Sequence, residues 1–410
     1  MTHPKKTTPE TPVLNRRGFI RSAAATTSFA VMDAALARGT EKNARIEAGI
    51  IGLGGRGTMI AKMVEDHGGY QITAVADYFP EVAGEAGERH DVPRKRRFSG
   101  LNGYQRLLDK GVDVVFLETP PYCFPEHAAA AVKAGCHVYM AKPVACDVPG
   151  CLSIADSGKK ATEANKVFLV DFQTRTDPYY IEGIRRVREG EVGALGLLCS
   201  LYADEAFADP PLTGTVESRL RHLTWVNDTA LGASYLVNAG IHAVDVALWI
   251  AGDTPVSATG ASRIVRADPH GDSHDVYSLT YTFQDGLILN HRGEHLKNRF
   301  GFLCECNAHC QDGHLETGYT GQVKILGIKT GYRGGKVEAL YPRGAERNIA
   351  TFHDNIVTGV YGNPTVEPSV NATLTTILGR EAARRKTELT WEQIMQENES
   401  LPPDLNGLKL

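Results

Sequence analysis

The sequence has no excess of basic residues: of its 410 residues, 44 are Lys or Arg and 48 are Asp or Glu, a formal net charge of −4. Bulk nucleic-acid binding depends on a basic surface, so this class of function is disfavoured. The sequence also lacks any run of 18 or more apolar residues, so no membrane span of the usual kind is expected. Glycine is in excess: it makes up 42 of the 410 residues, a larger share than the average of about 7%.

The eight cysteines show no usual metal-binding spacing. Cys304, Cys306 and Cys310 form a C-x-C-x₃-C pattern, which is not one of the common zinc arrangements. We therefore predict no metal site. Disulfides are compatible with an exported chain, but the sequence leaves their connectivity open.

Residues 1–37 have the three parts of an export signal. Basic side chains come first, at Lys5, Lys6, Arg16 and Arg17. An apolar stretch from Phe19 to Leu36 follows, and Ala35-Leu36-Ala37 has the form that a signal peptidase cuts. The segment Asn15–Ile20 resembles a twin-arginine signal, which predicts export to the periplasm. The alternative, a basic tail followed by a weak amphipathic helix, would leave the protein in the cytoplasm.

A glycine-rich turn links a short apolar strand, 48–51, to a predicted helix, 58–64. Its sequence, Gly52-Leu53-Gly54-Gly55-Arg56-Gly57, has the G-x-G-x-x-G pattern of a dinucleotide-binding turn. There the first glycine permits a tight turn, the second lets the backbone approach a pyrophosphate, and the third allows close helix packing. We predict that the whole turn contacts a dinucleotide cofactor.

The next predicted strand, 72–76, ends at Asp77, which follows Gly57 at the spacing of about 20 residues typical of such folds. A carboxylate there accepts hydrogen bonds from the adenosine ribose and repels a 2′-phosphate. NAD is therefore the predicted cofactor, with NADP less favoured.

Strands and helices continue to alternate after Asp77. Helices are predicted at 104–108 and 127–134, and strands at 112–117 and 137–140. This alternation predicts a doubly wound parallel sheet, whose ligand crevice lies at the carboxyl ends of the strands. Residues directly after those strands should face the cofactor, namely Thr119, Pro120, Pro121, Tyr122, Lys142 and Pro143.

At this point the chain resembles the Gfo/Idh/MocA family of two-domain oxidoreductases. The resemblance rests on the glycine turn, on Thr119-Pro120-Pro121 with Pro125-Glu126-His127, and on Ala134–Val138. Lys142-Pro143 matches the family's Glu-Lys-Pro motif, but Ala141 stands where the family usually has Glu. The similarity runs from about residue 45 to about residue 396.

The resemblance implies an α/β and α+β fold: a doubly wound Rossmann sheet at 45–165, a substrate domain at 166–345, and C-terminal helices at 346–410 that pack back on the first domain. The second domain should hold an open, mainly antiparallel sheet. Its predicted strands are 198–202, 257–265, 276–283 and 287–291, with a hairpin turn at Asp285-Gly286. In the family such a sheet commonly serves association, so a homo-oligomer is expected.

The segment Gly232–Asp245 matches the family's second motif, an Asp followed four residues later by a His. Here these positions are Asn238 and His242, which would share one face of a helix. His242 is the predicted base, Lys142 should hold the same substrate oxygen, and Asn238 should orient the hydroxyl. In some family members the lysine is itself proposed as the acid or base.

The resemblance completes the predicted site. The cofactor contacts are Gly52, Leu53, Gly54, Gly55, Arg56, Gly57, Asp77, Thr119, Pro120, Pro121, Tyr122, His127, Lys142 and Gln173. The weaker substrate candidates are Arg175, His222, Trp225, Arg292 and His295. Bound substrate should be a carbohydrate or cyclitol.

The implied function is hydride transfer at a secondary alcohol of a sugar, glycoside or cyclitol. One alternative is a redox-neutral enzyme that keeps its NAD, either a glycosidase that works by transient oxidation or a sugar–sugar oxidoreductase. Export favours this alternative, because free NAD is not expected to be plentiful outside the cytoplasm. A second alternative is a non-catalytic sugar-binding protein, supported by the departures at Ala141 and Asn238.

Overall fold

The computed structural model describes residues 45–205, 207–210, 216–221 and 223–410. The predicted export signal, residues 1–37, lies outside the described residues. The same holds for His222, one of the predicted substrate contacts.

The first sheet has six parallel strands in the order β3-β2-β1-β4-β5-β6. They are β1 (Ile46–Ile51), β2 (Tyr70–Asp77), β3 (Arg97–Ser99), β4 (Val114–Leu117), β5 (His137–Ala141) and β6 (Phe168–Asp171). The helices between them are α1 (Gly55–His67), α2 (Pro80–Arg89), α3 (Gly103–Leu108), α4 (Phe124–Lys133) and α5 (Val148–Glu163). The central strands β4 and β5 are buried throughout, as expected where helices cover both faces. The doubly wound parallel sheet is confirmed.

The sixth strand corrects the predicted domain boundary at residue 165. β6 pairs in parallel with β5, so it completes the first sheet instead of opening the second domain. β6 lies at the edge of the sheet, where its N–H groups need partners from elsewhere. Phe168 N–H donates to the side chain of Asn363 at 2.7 Å, and Val170 N–H donates to that of Thr365 at 3.0 Å. These bonds fix the strand that ends at Asp171.

The second sheet has nine strands in the order β14-β13-β12-β11-β7-β10-β9-β8-β15. They are β7 (Leu195–Asp204), β8 (Ser257–Arg263), β9 (Val276–Thr282), β10 (Ile288–His295), β11 (Leu303–Cys310), β12 (Gly313–Glu316), β13 (Gln322–Gly327), β14 (Gly331–Lys336) and β15 (Leu389–Thr390). Only the pair β7 and β10 is parallel among these described strands, so the mainly antiparallel sheet is confirmed.

Strand β10 runs four residues beyond its predicted end at 291. Along it His291, Gly293 and His295 are buried on the inner face, whereas Arg292 is exposed on the outer face. The side-chain period of two in a strand therefore separates two of the predicted substrate contacts, Arg292 and His295.

The inner face of the second sheet packs on helices. They are α6 (Pro178–Arg188), α7 (Thr229–Gly232) and α8 (Ile241–Ala251), with a π-helical turn at Leu236–Gly240 directly before α8. Nine of the eleven residues of α8 are buried. The segment Thr229–Ala251 has the length and hydropathy of a membrane-crossing helix, and 89% of its apolar window is buried inside the protein. In this structure the segment is part of the buried core.

The last elements are α9 (Leu340–Thr358), α10 (Val366–Arg385) and α11 (Trp391–Glu397). Helix α10 begins at Val366, so Pro368 lies in its first turn. Pro368 is tolerated there since the first turn of a helix needs no intrahelical N–H bond. Helix α9 packs on α1 and β6, as expected, while α10 packs on α5 and also on β8 and α8 of the second half. Helix α10 therefore contacts both halves of the fold.

Candidate functional site

The glycine turn between β1 and α1 leaves room for an anionic group. Gly52 has φ +89°, and a Cβ there would lie 2.7 Å from the backbone of Glu118. A Cβ on Gly57 would overlap the carbonyl oxygen of Gly52. Gly54 and Gly55 have no atom within 4 Å of where a Cβ would point, and they sit at the N-terminus of α1. This open cradle of free N–H groups fits the pyrophosphate of a dinucleotide.

Asp77 ends β2 beside the turn. Its carboxylate accepts from Leu53 N–H at 2.8 Å and from Phe79 N–H at 3.0 Å, so it also holds the glycine turn in place. Burial raises the pKa of this carboxyl group above its usual value. The exposed Glu81 follows one turn later. This arrangement suits a carboxylate that receives the adenosine ribose hydroxyls.

Changing Asp77 to Ser should shift cofactor preference towards NADP. Serine keeps an acceptor for the turn but removes the charge that repels a 2′-phosphate, so the ratio of the Kd for NADP to that for NAD should fall about tenfold, equal to about 1.4 kcal/mol. Titration of both cofactors by intrinsic fluorescence measures the ratio. Glu81→Gln removes the same charge from the neighbouring exposed position and should change the ratio far less. Equal ratios in the wild type and Asp77→Ser would contradict this assignment.

Arg56 bridges two buried carboxylates at the carboxyl edge of the first sheet. Its Nε lies 2.8 Å from Glu118 Oε2, and its other guanidinium end pairs with Asp171. The Glu118 and Asp171 side chains are both 0% exposed. Asn348 Nδ2 donates to Asp171 Oδ1 at 2.6 Å from helix α9. Arg56 was predicted only as a cofactor contact, whereas Glu118, Asp171 and Asn348 were not predicted.

Glu118 in this network has a perturbed carboxyl group. Burial raises its pKa to about 7, although the neighbouring Arg56 acts in the opposite direction. Oε1 of Glu118 is buried without a hydrogen-bond partner. A carboxyl group with such a pKa can hold or release a proton near neutral pH.

The carboxylate that is missing at Ala141 has a counterpart on the next strand. Ala141 is the direct register partner of Asp171 in the parallel pair of β5 and β6. The charge of Asp171 raises the pKa of Lys142, opposing the effects of burial and of Arg56. A negative charge beside the lysine is therefore present, but it comes from the neighbouring strand.

Lys142 follows β5 and projects towards the second half of the fold. Its Nζ donates to the backbone carbonyl oxygen of Asn238. Burial, followed by the charge of Arg56, lowers the pKa of Lys142 to about 7. An amine with that pKa is neutral in a large fraction of molecules at neutral pH, so it can serve as a base as well as an acid.

His242 lies in the first turn of α8 and is buried. Its Nδ1 has no hydrogen-bond partner. Burial, and then the charge of Lys142, lowers the pKa of His242 well below its usual value. The imidazole is therefore neutral, and the protonated form that a general base must reach is strongly disfavoured. These pKa shifts favour Lys142 over the predicted His242 as the proton acceptor.

The backbone at Asn238 differs from the prediction, which assumed one regular helix through residues 238–242. The chain instead forms a π-helical turn over Leu236–Gly240. Such turns interrupt regular helices and are frequent at functional sites. The carbonyl oxygen of Asn238, not its amide side chain, makes the contact with Lys142.

Aromatic rings surround His242. Ring centroids of Tyr319, Phe172 and Tyr202 lie 5.4, 6.1 and 6.4 Å from that of the histidine. Phe302 contacts both Tyr202 and Tyr319, at 5.7 and 5.9 Å. These aromatic residues come from distant parts of the chain, so no local sequence pattern indicated them.

Two predicted cofactor contacts, Gln173 and His127, are buried. Gln173 is 1% exposed, and its Oε1 accepts from the hydroxyl group of Tyr319 at 3.1 Å.

His127 stacks on Tyr104 at 4.1 Å and lies 3.5 Å from the hydroxyl group of Thr119. Burial lowers the pKa of His127 to about 3, so the ring is neutral. Its contacts with Tyr104 and Thr119 indicate a role in supporting the turn after β4. The other residues of this turn, Pro121 and Tyr122, form a short 3₁₀ turn at Pro121–Cys123.

Several predicted substrate contacts have other partners. Arg175 forms a bidentate ion pair with the buried Asp245 and lies over Trp249, so its guanidinium group is occupied. Arg292 pairs with Glu294 on the outer face of the second sheet, away from the inner face on which the helix of His242 packs.

The remaining candidates are His295 and Trp225. His295 is buried against Tyr235, with centroids 4.5 Å apart and nearly parallel rings. Trp225 is half-buried in a 3₁₀ turn, Thr224–Asn227. His291, which was not predicted, bonds to Ser200 at 2.8 Å beneath the π-helical turn and lies near Gly240.

The described part of the chain holds no group of three or more His, Cys, Asp or Glu arranged to bind a metal. All eight cysteines are free thiols.

Comparison with known proteins places these features in a family. Residues 46–172 match the model described as an oxidoreductase family with an NAD-binding Rossmann fold, and residues 184–315 match the Gfo/Idh/MocA C-terminal domain. Together the two matches cover more than half of the chain. Inositol 2-dehydrogenase of Rhizobium meliloti is 23% identical over 248 residues, which is 58% of this chain and 65% of that protein. The chain spans about half the length of the first curated relatives it matches, 48% and 46%.

Solved structures show the same fold. Aldose-aldose oxidoreductase from Caulobacter crescentus, complexed with glycerol, superposes with a TM-score of 0.69 at 20% identity, covering 85% of this chain and 100% of that one. Scyllo-inositol dehydrogenase from Lactobacillus casei, with bound NAD(H) and scyllo-inositol, gives a TM-score of 0.67 at 18% identity, with 85% and 100% covered. At these identities the likeness establishes the fold.

Proposed function

Because the chain belongs to the Gfo/Idh/MocA family of NAD-binding oxidoreductases, we propose that it oxidises a secondary alcohol of a sugar, glycoside or cyclitol. The observation that carries the proposal is the pairing of Lys142 with the Asn238 carbonyl, beside His242 and at the carboxyl edge of a dinucleotide-binding sheet. The named relatives act on inositols and aldoses, which supports this substrate class.

The residues that would hold NAD are those of the open cradle and of the adenosine end. The N–H groups at Gly54 and Gly55 receive the pyrophosphate, and Asp77 receives the ribose hydroxyls. When bound, NAD supplies the hydride acceptor.

The protein groups carry the proton chemistry. The neutral amine of Lys142 takes the proton of the substrate hydroxyl as the carbonyl forms. His242, kept neutral by burial, offers its unpartnered Nδ1 as a hydrogen-bonding group to the same or the adjacent hydroxyl. In the reverse reaction the Lys142 ammonium returns the proton.

The aromatic residues around His242 favour a ring-shaped polyol. Tyr202 and Tyr319 present apolar ring faces with polar hydroxyl edges beside the His242 imidazole, and the apolar ring of Phe302 packs against both tyrosines. Amphipathic rings of this kind pack against the C–H face of a sugar or cyclitol while hydroxyl groups bond at the rim. An acidic or phosphorylated substrate is less favoured, since Arg56 and Arg175 are already paired with carboxylates.

A substrate panel tests the proposed function. Purified protein, desalted and then supplied with NAD, should form NADH with at least one cyclitol or aldose, and Lys142→Met should slow this reaction by about 10²- to 10⁴-fold. A stoichiometric nicotinamide that survives desalting, with sugar conversion but no net NADH, would instead support the redox-neutral alternative. If the protein has neither bound nicotinamide nor affinity for NAD, the dehydrogenase and the redox-neutral enzyme are both contradicted. The non-catalytic sugar-binding protein is then the remaining alternative.

Two further properties belong to the proposal. Export through the twin-arginine route rests on Arg16 and Arg17 and on the apolar stretch that follows them. Association of identical chains is proposed through the outer face of the second sheet, where Arg292 and the apolar side chains of Ile288 and Phe300 are exposed.

A further inference from the structure

Arg380 is a buried cation in helix α10. It is 4% exposed. One of its guanidinium nitrogens, Nη1, donates to the carbonyl oxygen of Cys146 at 3.1 Å and to that of Ala233 at 2.9 Å. A single side chain from a third element thus joins two loops that are 87 residues apart in sequence.

The two loops are those that carry the reacting groups. Cys146 comes four residues after Lys142, and Ala233 comes five residues before Asn238. Lys142 and Asn238 are in turn bonded to each other through Nζ and the carbonyl oxygen. Arg380 therefore closes a ring of contacts that runs through both loops and returns to the Lys142–Asn238 pair.

The loop at Ala233 needs such an anchor. Ala233 and Ser234 have φ values of +68° and +83°, in the left-handed region that residues with a Cβ rarely adopt. Two successive residues of this kind persist only where surrounding contacts hold them. The Arg380 bond to Ala233 and the bond from Tyr235 N–H to Ser273, 2.9 Å, are such contacts. They set the start of the π-helical turn that carries Asn238.

The charge of Arg380 is balanced on its own helix. Its Nε donates to Glu381 Oε1 at 3.0 Å. Glu381 also accepts from Arg384, whose side chain is 54% exposed and bonds to no atom of either loop. Arg380 and Arg384 thus share one carboxylate partner but differ in their contact with the loops, which makes Arg384 a matched control.

We propose that Arg380 is a positioning residue that fixes the Lys142–Asn238 pair by holding the loops of Cys146 and Ala233 together. The inference rests on the proposed function for its kinetic test only, because the titration of the Lys142 amine is measurable without turnover. Helix α10 then has a part in the site and not only in packing.

The test compares Arg380→Lys with Arg384→Lys. A lysine at 380 keeps the charge, but its compact ammonium group does not reproduce the fork of a guanidinium that serves two carbonyls and a carboxylate. We expect kcat of Arg380→Lys to fall about 10- to 100-fold, as for a displaced catalytic group, with KM changed less than about threefold. Arg384→Lys should keep wild-type kinetics.

A second measurement is independent of turnover. Competitive acetylation of Lys142, followed by peptide mass spectrometry across pH, reports the pKa of that amine. In the wild type the midpoint should lie near 7, as set by burial and by Arg56, Asp171 and Cys304 around the amine. In Arg380→Lys the loosened loops should admit water, so the midpoint should rise towards the ordinary lysine value of about 10.4. Arg384→Lys should not move it.

The outcomes separate the two proposals. Absence of turnover in the wild type on every polyol would contradict the proposed function, while the acetylation profile would still test Arg380. An acetylation midpoint for Arg380→Lys equal to that of the wild type overturns the positioning role, whether or not kcat has changed. Arg380→Gln, which keeps one donor for one carbonyl, replaces the lysine variant if that variant fails to fold.

Discussion

Replacing Lys142 by Met should lower kcat for polyol oxidation by about 10²- to 10⁴-fold, the usual contribution of a positioned acid or base. Methionine keeps most of the length and apolar surface of the side chain and removes only the amine. The cradle at Gly54 and Gly55 and the carboxylate of Asp77 are untouched, so the Kd for NAD should change little. Steady-state kinetics together with a fluorescence titration of NAD measure both quantities.

The pH profile of the wild type also tests Lys142 as the proton acceptor. Burial lowers the pKa of Lys142 to about 7, and the deprotonated amine is the form that accepts the hydroxyl proton. The rate of oxidation should therefore rise with pH up to about 7 and level off above it. Reduction of the corresponding ketone needs the ammonium form, so its rate should fall over the same range. The profile of any residual activity in Lys142→Met should lack this midpoint.

His242→Gln is the matched control for the choice of base. Glutamine keeps a hydrogen-bonding group at the position but has no titrating ring. If Lys142 is the base, this variant should lose activity through poorer substrate orientation while its pH midpoint stays near 7. A midpoint that disappears in His242→Gln and persists in Lys142→Met would instead assign the proton transfer to His242, as the sequence prediction had it.

The sequence predicted the parts of the site that are local in the chain. The glycine turn, Asp77 and Lys142 each follow directly from a short pattern next to a predicted strand, and the structure places them at one edge of one sheet. Parallel strands bring their carboxyl ends to the same edge, so this much follows from the alternation of strands and helices.

The remaining parts depend on contacts between distant segments. Asp171 lies beside Ala141 only because β5 and β6 pair in a particular register, which the sequence does not specify. The contact of Lys142 with the Asn238 carbonyl depends on a π-helical turn. The sequence prediction for Asn238 and His242 instead assumed the i, i+4 spacing of a regular helix. Arg380 is separated by 147 residues from Ala233, and no pattern near Arg380 indicates its two carbonyl partners.

The largest effect on stability should come from replacing Arg56 by Met. Its guanidinium group is the shared partner of Glu118 and Asp171, whose side chains are fully buried. Removing one member of a buried ion pair leaves the other charge uncompensated and typically costs about 3–5 kcal/mol. We expect the free energy of unfolding, measured by urea denaturation at pH 8, to fall by about this amount. Lys62→Met, which breaks an exposed pair with Asp66 on the same helix, should cost less than about 1 kcal/mol.

The loss of stability in Arg56→Met should depend on pH, in a direction set by Glu118. The pKa of this group is raised to about 7 in the folded protein, above its usual value near 4.5. Between these values the folded state binds more protons than the unfolded state, so stability contributed by Glu118 is fully present below about pH 4.5 and is lost as pH rises towards 7. Without Arg56 the carboxylate form is disfavoured further. The Arg56→Met penalty should therefore be smaller at pH 5, where Glu118 is protonated, than at pH 8.

Glu118→Gln tests whether the stability loss comes from the buried charge of Glu118 or from a general loosening of the glycine turn. The amide has the shape of the carboxyl group and no charge, so the decline in stability between about pH 4.5 and 7 should flatten in this variant. In the double variant Arg56→Met with Glu118→Gln, one of the two uncompensated carboxylates is gone. The double variant should consequently be more stable at pH 8 than Arg56→Met alone. A penalty for Arg56→Met that is equal at pH 5 and pH 8, and unrelieved by Glu118→Gln, would show that packing around the turn and not buried charge makes Arg56 necessary.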